Sequence, residues 1–150
     1  MEMVRFAVLV ALGAWQLGAA DFSLGIGNPI AAKGPNVSKT AGLAVRLENC
    51  ADLSNSSVSG SAEGFVDGER KSVALQMIVA SPGVYAVNES WPQGGAWVVK
   101  LAATCGGAKA GAIVPFRGAA FLREAVKLFP RFATAAEVEL SLKELAGGAK

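Results

Sequence analysis

Hydrophobic and polar residues alternate with a period of two along the middle of this chain, which is the pattern of half-buried β-strands. Leu43, Val45 and Leu47 begin the series in a strand that ends at Cys50. The same alternation, with turn signals such as Asp67-Gly68 between the strands, predicts five more. These five cover residues 58–66, 70–79, 84–91, 96–105 and 112–116. Six short strands with no room for helices between them predict a mainly β fold, an antiparallel β-sandwich.

Helical spacing replaces this alternation in the C-terminal residues 117–150. Apolar side chains recur on one face of residues 119–129, which predicts a first helix that ends at Pro130. A second helix is predicted to begin at Thr134, because Thr134 and Glu137 have the spacing of a capping box. The two apolar stripes consist of Leu122, Val126 and Phe129 on the first helix and Val138, Leu142 and Leu145 on the second.

The two apolar stripes of this helical tail must be buried against something. They either dock on the sandwich or bind a partner. The sandwich has enough strands to close its own core, and the tail is mildly basic. We therefore expect a detachable tail that binds a protein, another component of the cell envelope or an anionic surface.

The N-terminal residues have the layout of a secretory signal. Arg5 precedes an apolar run from Phe6 to Trp15, and the small residues Gly18 and Ala20 suit cleavage after Ala20. A membrane-spanning helix needs about 20 apolar residues, which is longer than this run, although a retained anchor is the alternative. The chain is thus divided into a signal peptide (1–20), an irregular lead-in (21–39), a β-sandwich (40–116) and a helical tail (117–150).

Composition and charge argue against a nucleic-acid-binding role. Charged residues make up 17% of the 150 residues, and the net charge is +2. A nucleic-acid-binding protein needs a dense basic stripe that displaces counterions from the phosphates, and the sequence has none. The Ala- and Gly-rich composition and the compact signal favour a bacterial source.

The chain has two cysteines, Cys50 and Cys105. In an oxidising compartment such a pair usually forms a disulfide. Closing a loop of about 55 residues would stabilise the fold by about 4 kcal/mol in the chain-entropy estimate. The alternative is a pair of reduced thiols in redox or metal chemistry, although redox pairs are usually as close as Cys-x-x-Cys.

The chain contains no histidine, which removes Ser-His-Asp and Cys-His catalysis and the commonest transition-metal ligand. No Ser-x-x-Lys sequence occurs either. We therefore predict that the protein is not an enzyme, and that it has no catalytic residues, no metal site and no cofactor.

The most specific local feature is a hairpin of the form Gly-x-Tyr … Pro-x-x-Gly-x-Trp over residues 83–97. Trp97 is in phase with Val99 and is expected in the core. Trp91 ends a strand and shares a face with Tyr85. Trp91 and Tyr85 are therefore the predicted ligand-binding surface.

This hairpin resembles the late strands of small extracytoplasmic immunoglobulin-like domains, including the YtkA-like family of bacterial envelope proteins. Residues 60–75 also resemble uncharacterised secreted bacterial β-sandwich proteins. The resemblance implies an immunoglobulin-like antiparallel β-sandwich with a short helical C-terminal tail. The YtkA-like family has been linked to copper handling, but this sequence lacks histidine and has only Met77 after the signal. Trp97 lies close to Cys105, so an antibody-type topology is not implied.

We therefore interpret the chain as a secreted or periplasmic, non-enzymatic binding or structural module of the cell envelope, with no membrane span after signal cleavage. The alternative, from a different class, is an accessory metal-handling protein of the copper type or a redox protein of the periplasm.

The signal prediction is tested by the N-terminus of the exported protein. We expect it to begin at or near Asp21, because Gly18 and Ala20 are the small residues before the cut. N-terminal sequencing or intact mass measures this directly. A stable exported species that retains residues 1–20 would contradict the prediction.

Overall fold

The computed structural model describes residues 21–28, 41–92, 95–118 and 120–147. The predicted signal peptide, most of the lead-in and residues 93–94 of a predicted turn lie outside these ranges. The described residues form ten strands and one α-helix, with short 3-10 turns at Leu53–Asn55 and Arg123–Ala125. The elements are β1 (Ser23–Gly27), β2 (Ala41–Glu48), β3 (Ser56–Val66), β4 (Glu69–Ala74), β5 (Met77–Ser81), β6 (Val84–Asn88), β7 (Ala96–Cys105), β8 (Ala108–Arg117), β9 (Ala120–Phe121), β10 (Lys127–Phe129) and α1 (Ala135–Gly147).

Two antiparallel sheets pack face to face. The first has the strand order β1-β2-β6-β5, and the second has the order β10-β8-β7-β3-β4, with β9 also paired to β8. When β9 and β10 are left out, strands β1 to β8 correspond in chain order to A, B, C, C′, D, E, F and G. The two sheets then have the A-B-E-D and G-F-C-C′ arrangement of immunoglobulin-type sandwiches. The predicted immunoglobulin-like β-sandwich with a short helical tail is confirmed.

The central core lies between the two sheets and follows the predicted alternation. In β7, Trp97, Val99 and Leu101 point inward and are buried. Gly64 on β3 lies opposite Trp97, and a Cβ atom on this glycine would come within 2.6 Å of the indole ring. The missing side chain at Gly64 therefore makes room for the indole of Trp97.

The disulfide joins the two sheets. Cys50 follows β2 of the first sheet and Cys105 ends β7 of the second, with their Cα atoms 5.8 Å apart. This distance falls in the range typical of disulfides, about 4.4–6.8 Å. The predicted bond is confirmed.

Residues 70–79 do not form the single strand that the alternation predicted. β4 ends at Ala74 in the second sheet, and β5 begins at Met77 in the first, so the chain crosses the sandwich between them. Val73, Leu75 and Met77 all pack against the same central core. The two-residue period continues through the crossing because both sheets turn their apolar faces to that core.

The lead-in also differs from the prediction, because Ser23–Gly27 forms the edge strand β1. It pairs with β2, and Leu24 lies opposite Leu47 in the central core. Gly25 and Gly27 weaken the strand signal in the sequence. The strand persists because its alternate side chains, Leu24 and Ile26, pack on the core.

The predicted helix over residues 119–129 is wrong for the part that the structure describes. Residues 120–129 form β9, the 3-10 turn Arg123–Ala125 and β10, and both strands pair with β8. Val126 packs on the central core, whereas Leu122 and Phe129 pack on the opposite side of the second sheet. The helical spacing misled because these apolar residues cover two surfaces rather than one.

The second predicted helix is confirmed as α1, and so is its capping box. The Glu137 backbone N–H donates to Thr134 Oγ1 at 3.1 Å, and the Thr134 N–H donates to Glu137 Oε1 at 2.9 Å. These bonds satisfy backbone donors that the first turn of a helix leaves without intrahelical partners.

Helix α1 docks on the outer face of the second sheet. Val138, Leu142 and Leu145 form one buried cluster with Val98 of β7 and Ile113 of β8. The inward-facing neighbours of the two strand residues fill the central core. Around Val98 and Ile113, β7 and β8 are therefore apolar on both faces, which is typical of strands covered on both sides. The expectation of a detachable tail is wrong, because α1 buries the apolar outer face of the second sheet.

The chain reaches α1 by crossing closely over β8 at Gly111. A Cβ atom on Gly111 would lie 2.5 Å from the carbonyl oxygen of Arg131. Any other residue here would push the segment before α1 away from the sheet. Gly111 is therefore a structural requirement for docking the helix.

The docked helix predicts unequal effects for two leucines of α1. Leu142 is 5% exposed, and we expect Leu142→Ala to lower the free energy of unfolding by about 2–5 kcal/mol. Leu140 is 51% exposed, and Leu140→Ala is a matched control expected to change it by about 0.5 kcal/mol or less. Urea denaturation measures both variants. Equally small effects would contradict the docking of α1.

Candidate functional site

The structure places Trp91 in the core rather than on the surface. Its side chain is 4% exposed, and its ring packs edge to face on Phe116 with the centroids 5.2 Å apart. Tyr85 is half-buried against the same core. Trp91 therefore presents no open ring for a ligand, and its predicted place on a binding surface is corrected, whereas the role of Tyr85 stays a prediction. Trp91 is buried because it fills the space beside Phe116 of β8.

The structure also bears on the metal, redox and membrane questions, within the residues it describes. No group of three or more His, Cys, Asp or Glu side chains lies close enough there to hold a metal ion. Both cysteines are bonded to each other. No described helix has the length and apolar character needed to cross a membrane.

A cavity lies between the C-terminal half of α1 and the sandwich, and we call it the helix cavity. Its volume is about 220 Å³. Strand β8, the turn after β9 and the buried face of α1 contribute its walls. The lining residues are Pro115, Arg117, Leu122, Ala125, Ser141, Glu144 and Leu145.

The helix cavity exists because the edge pairing of β8 is interrupted. β9 pairs with Phe116 and Arg117, β10 pairs with residues 111–113, and Pro115 lies between these two stretches. Proline has no N–H for a ladder, although its carbonyl accepts a hydrogen bond from the Leu122 N–H at 2.8 Å. The chain leaves the sheet at Arg123–Ala125 and returns at β10, which leaves a space under α1.

Ser141 borders the helix cavity, but its hydroxyl is closed off from the cavity and from solvent. It is 2% exposed, and its Oγ is the one buried side-chain polar atom without a hydrogen-bond partner among the described residues. Serine inside a helix usually points to solvent or bonds the carbonyl one turn earlier, and Ser141 does neither. An unsatisfied buried hydroxyl costs about 1–3 kcal/mol.

Arg117 supplies the positive charge of the helix cavity. Its Nη2 donates to the Leu145 carbonyl oxygen at 2.9 Å, in the last turn of α1, where a cation is favourable. A guanidinium has five N–H donors. Within the described chain no carboxylate pairs with Arg117. Glu144, in contrast, is held by Lys127 with Nζ and Oε1 2.8 Å apart.

Ion pairs connect other parts of α1 to β4, to β10 and to the segment before the helix. Arg70 of β4 contacts Glu139 at 2.6 Å and Glu63 of β3 at 2.9 Å, and its hydrogen bonds hold the pKa of the Glu139 carboxyl below its usual value. At the start of the helix, Arg131 contacts Glu137 at 2.8 Å. Together with the Lys127–Glu144 pair, these contacts hold the helix over the cavity.

No family model, curated protein or solved structure matches this chain. The immunoglobulin-like fold is assigned from the strand order. The resemblance to YtkA-like domains stays a prediction.

Sequence reasoning missed both Ser141 and Arg117. A signal for Ser141 was present, because residues 138, 141, 142 and 145 have the spacing of one helical face and only Ser141 is polar. Nothing in the sequence marked Arg117, which gains its role from the space that β9 and β10 leave beside it.

The capping box predicts a pH dependence of stability. Hydrogen bonds from Arg131 and the Thr134 N–H lower the pKa of Glu137 from 4.5 to about 2. A carboxyl with a lowered folded-state pKa contributes stability that is fully present above its ordinary pKa and is lost as pH falls towards the folded value. We therefore expect the melting temperature to fall as pH falls from 4.5 to about 2.

Glu137→Gln removes this titration, so we expect it to lower stability at neutral pH and to flatten the acid limb of the melting curve. Glu124→Gln is the matched control, because Glu124 has no ion pair among the described residues. Parallel acid limbs for Glu137→Gln and the unmodified protein would contradict the prediction.

Proposed function

We propose that the chain is an exported, non-enzymatic binding module of the cell envelope whose ligand enters the helix cavity. The observation that carries this proposal is the helix cavity itself, a mostly apolar space whose wall includes Arg117, a cation without a carboxylate partner among the described residues. Small-molecule sites are typically concave and mostly apolar, with a few placed polar groups.

A second hollow, on the outer face of the first sheet, is a weaker candidate. Its volume is about 230 Å³, and it lies among Gly25, Gly27 and Val84, with Arg46 and Glu48 at its side. These two charges pair with each other at 3.2 Å. No buried polar atom in the described part of this hollow lacks a partner.

The sequence and the site support the remaining parts of the proposal. A hydroxyl nucleophile needs an adjacent base, and the Ser141 hydroxyl contacts none among the described residues. The chain also has no histidine to act as one. The signal-like N-terminus and the disulfide support an extracytoplasmic location.

Benzyl alcohol is a suitable neutral probe, because it joins one ring to one hydrogen-bonding group. An apolar cavity of about 150 Å³ is enough to bind benzene. In an NMR titration of the exported protein, we expect saturable shifts at the amides of Ala125, Ser141 and Leu145. The expected Kd is about 1 mM, given the small number of ligand atoms.

A cavity-filling variant tests the location. Ala125→Leu should abolish these shifts, because the larger side chain occupies the helix cavity. Ala74→Leu is the matched control on exposed β4 and should leave them unchanged. No saturable shift, or shifts confined to the hollow beside Gly25 and Gly27, would overturn the proposal.

A further inference from the structure

We infer that the helix cavity selects small monocarboxylates, with the carboxylate held by Arg117 and a compact apolar body held by the surrounding walls. This inference rests on the proposed function, and it names the chemical class of the ligand.

The walls set the size and polarity of the ligand body. Pro115, Leu122, Ala125 and Leu145 present apolar surface to the cavity. Its volume of about 220 Å³ is moderately larger than the cavity of about 150 Å³ that accommodates benzene. One ring or one short branched chain with a single polar group fits this space.

The charges around the helix cavity leave one positive charge uncompensated. Lys127 and Glu144 neutralise each other at 2.8 Å, and Arg123 and Glu124 on the adjacent exposed turn carry opposite charges. Arg117 has no carboxylate partner in the described chain. One of its five N–H groups donates to the Leu145 carbonyl, and no other acceptor among the described residues binds the rest, so they can bind an anion.

The C-terminal end of α1 carries a partial negative charge, which by itself disfavours an anion. The bond from Arg117 to the Leu145 carbonyl offsets this effect where the helix borders the cavity. The same arginine is thereby fixed in position before a ligand arrives. A preorganised guanidinium loses less side-chain freedom on binding than a mobile one.

Benzoate and benzyl alcohol test the inference, because they match in size and differ in charge. We expect NMR titration of the exported protein at neutral pH to give a Kd for benzoate about tenfold below that for benzyl alcohol. Arg117→Gln should bring the two Kd values together by weakening benzoate alone. Arg46→Gln, on the outer face of the first sheet, is the matched control and should change neither Kd.

A further variant separates the charge of Arg117 from its shape. Arg117→Lys keeps the positive charge and should retain part of the preference for benzoate.

The outcomes distinguish the inference from the proposed function. Equal Kd values at the helix cavity of the unmodified protein would overturn the monocarboxylate inference and leave the binding module standing. A preference for benzoate that survives Arg117→Gln would overturn the inference as well. Failure of both ligands to shift the amides of Ala125 and Leu145 would overturn inference and proposal together.

Discussion

The structure depends on the burial of a second apolar face, the outer side of β7 and β8. Val98 and Ile113 place fully buried side chains on this face, while their neighbours fill the central core of the sandwich. Left open, the face would expose apolar surface at a cost of about 25 cal/mol per Å². The chain after β8 therefore returns over the sheet, and the close crossing at Gly111 allows α1 to cover it. The result is a three-layer arrangement of sheet, sheet and helix.

The helix cavity is a consequence of how this cover is attached. Between β9 and β10 the chain leaves the edge of β8 next to Pro115. The ion pairs Lys127–Glu144 and Arg70–Glu139 hold α1 above this gap, and a space remains beneath the helix. Ser141 occupies a position in the apolar stripe of α1 where a hydrophobic residue would stabilise the helix more.

Much of the fold could be predicted from the sequence, whereas little of the site could. The strand of residues 96–105 is observed as β7, and the helix that begins after Thr134 is observed as α1. The helix over 119–129 failed because residues spaced like one helical face cover opposite sides of a sheet. The unbroken apolar stretch of residues 112–116 in β8 indicated that another element covers the outer face of this strand. A strand that is apolar at successive positions is typically buried on both faces.

The sequence by itself determined the local elements and the covalent link. Asp67 and Gly68 adopt positive φ angles of 52° and 81° at the β3–β4 turn, as their residue types favour, and Cys50 had a single cysteine with which to pair. Only the tertiary structure decided which apolar surface each element covers, and therefore where Trp91, Arg117 and Ser141 lie. Periodicity shows that one face of a strand or helix avoids water. What buries that face depends on the assembled layers, because burial is set by neighbours that are distant along the chain.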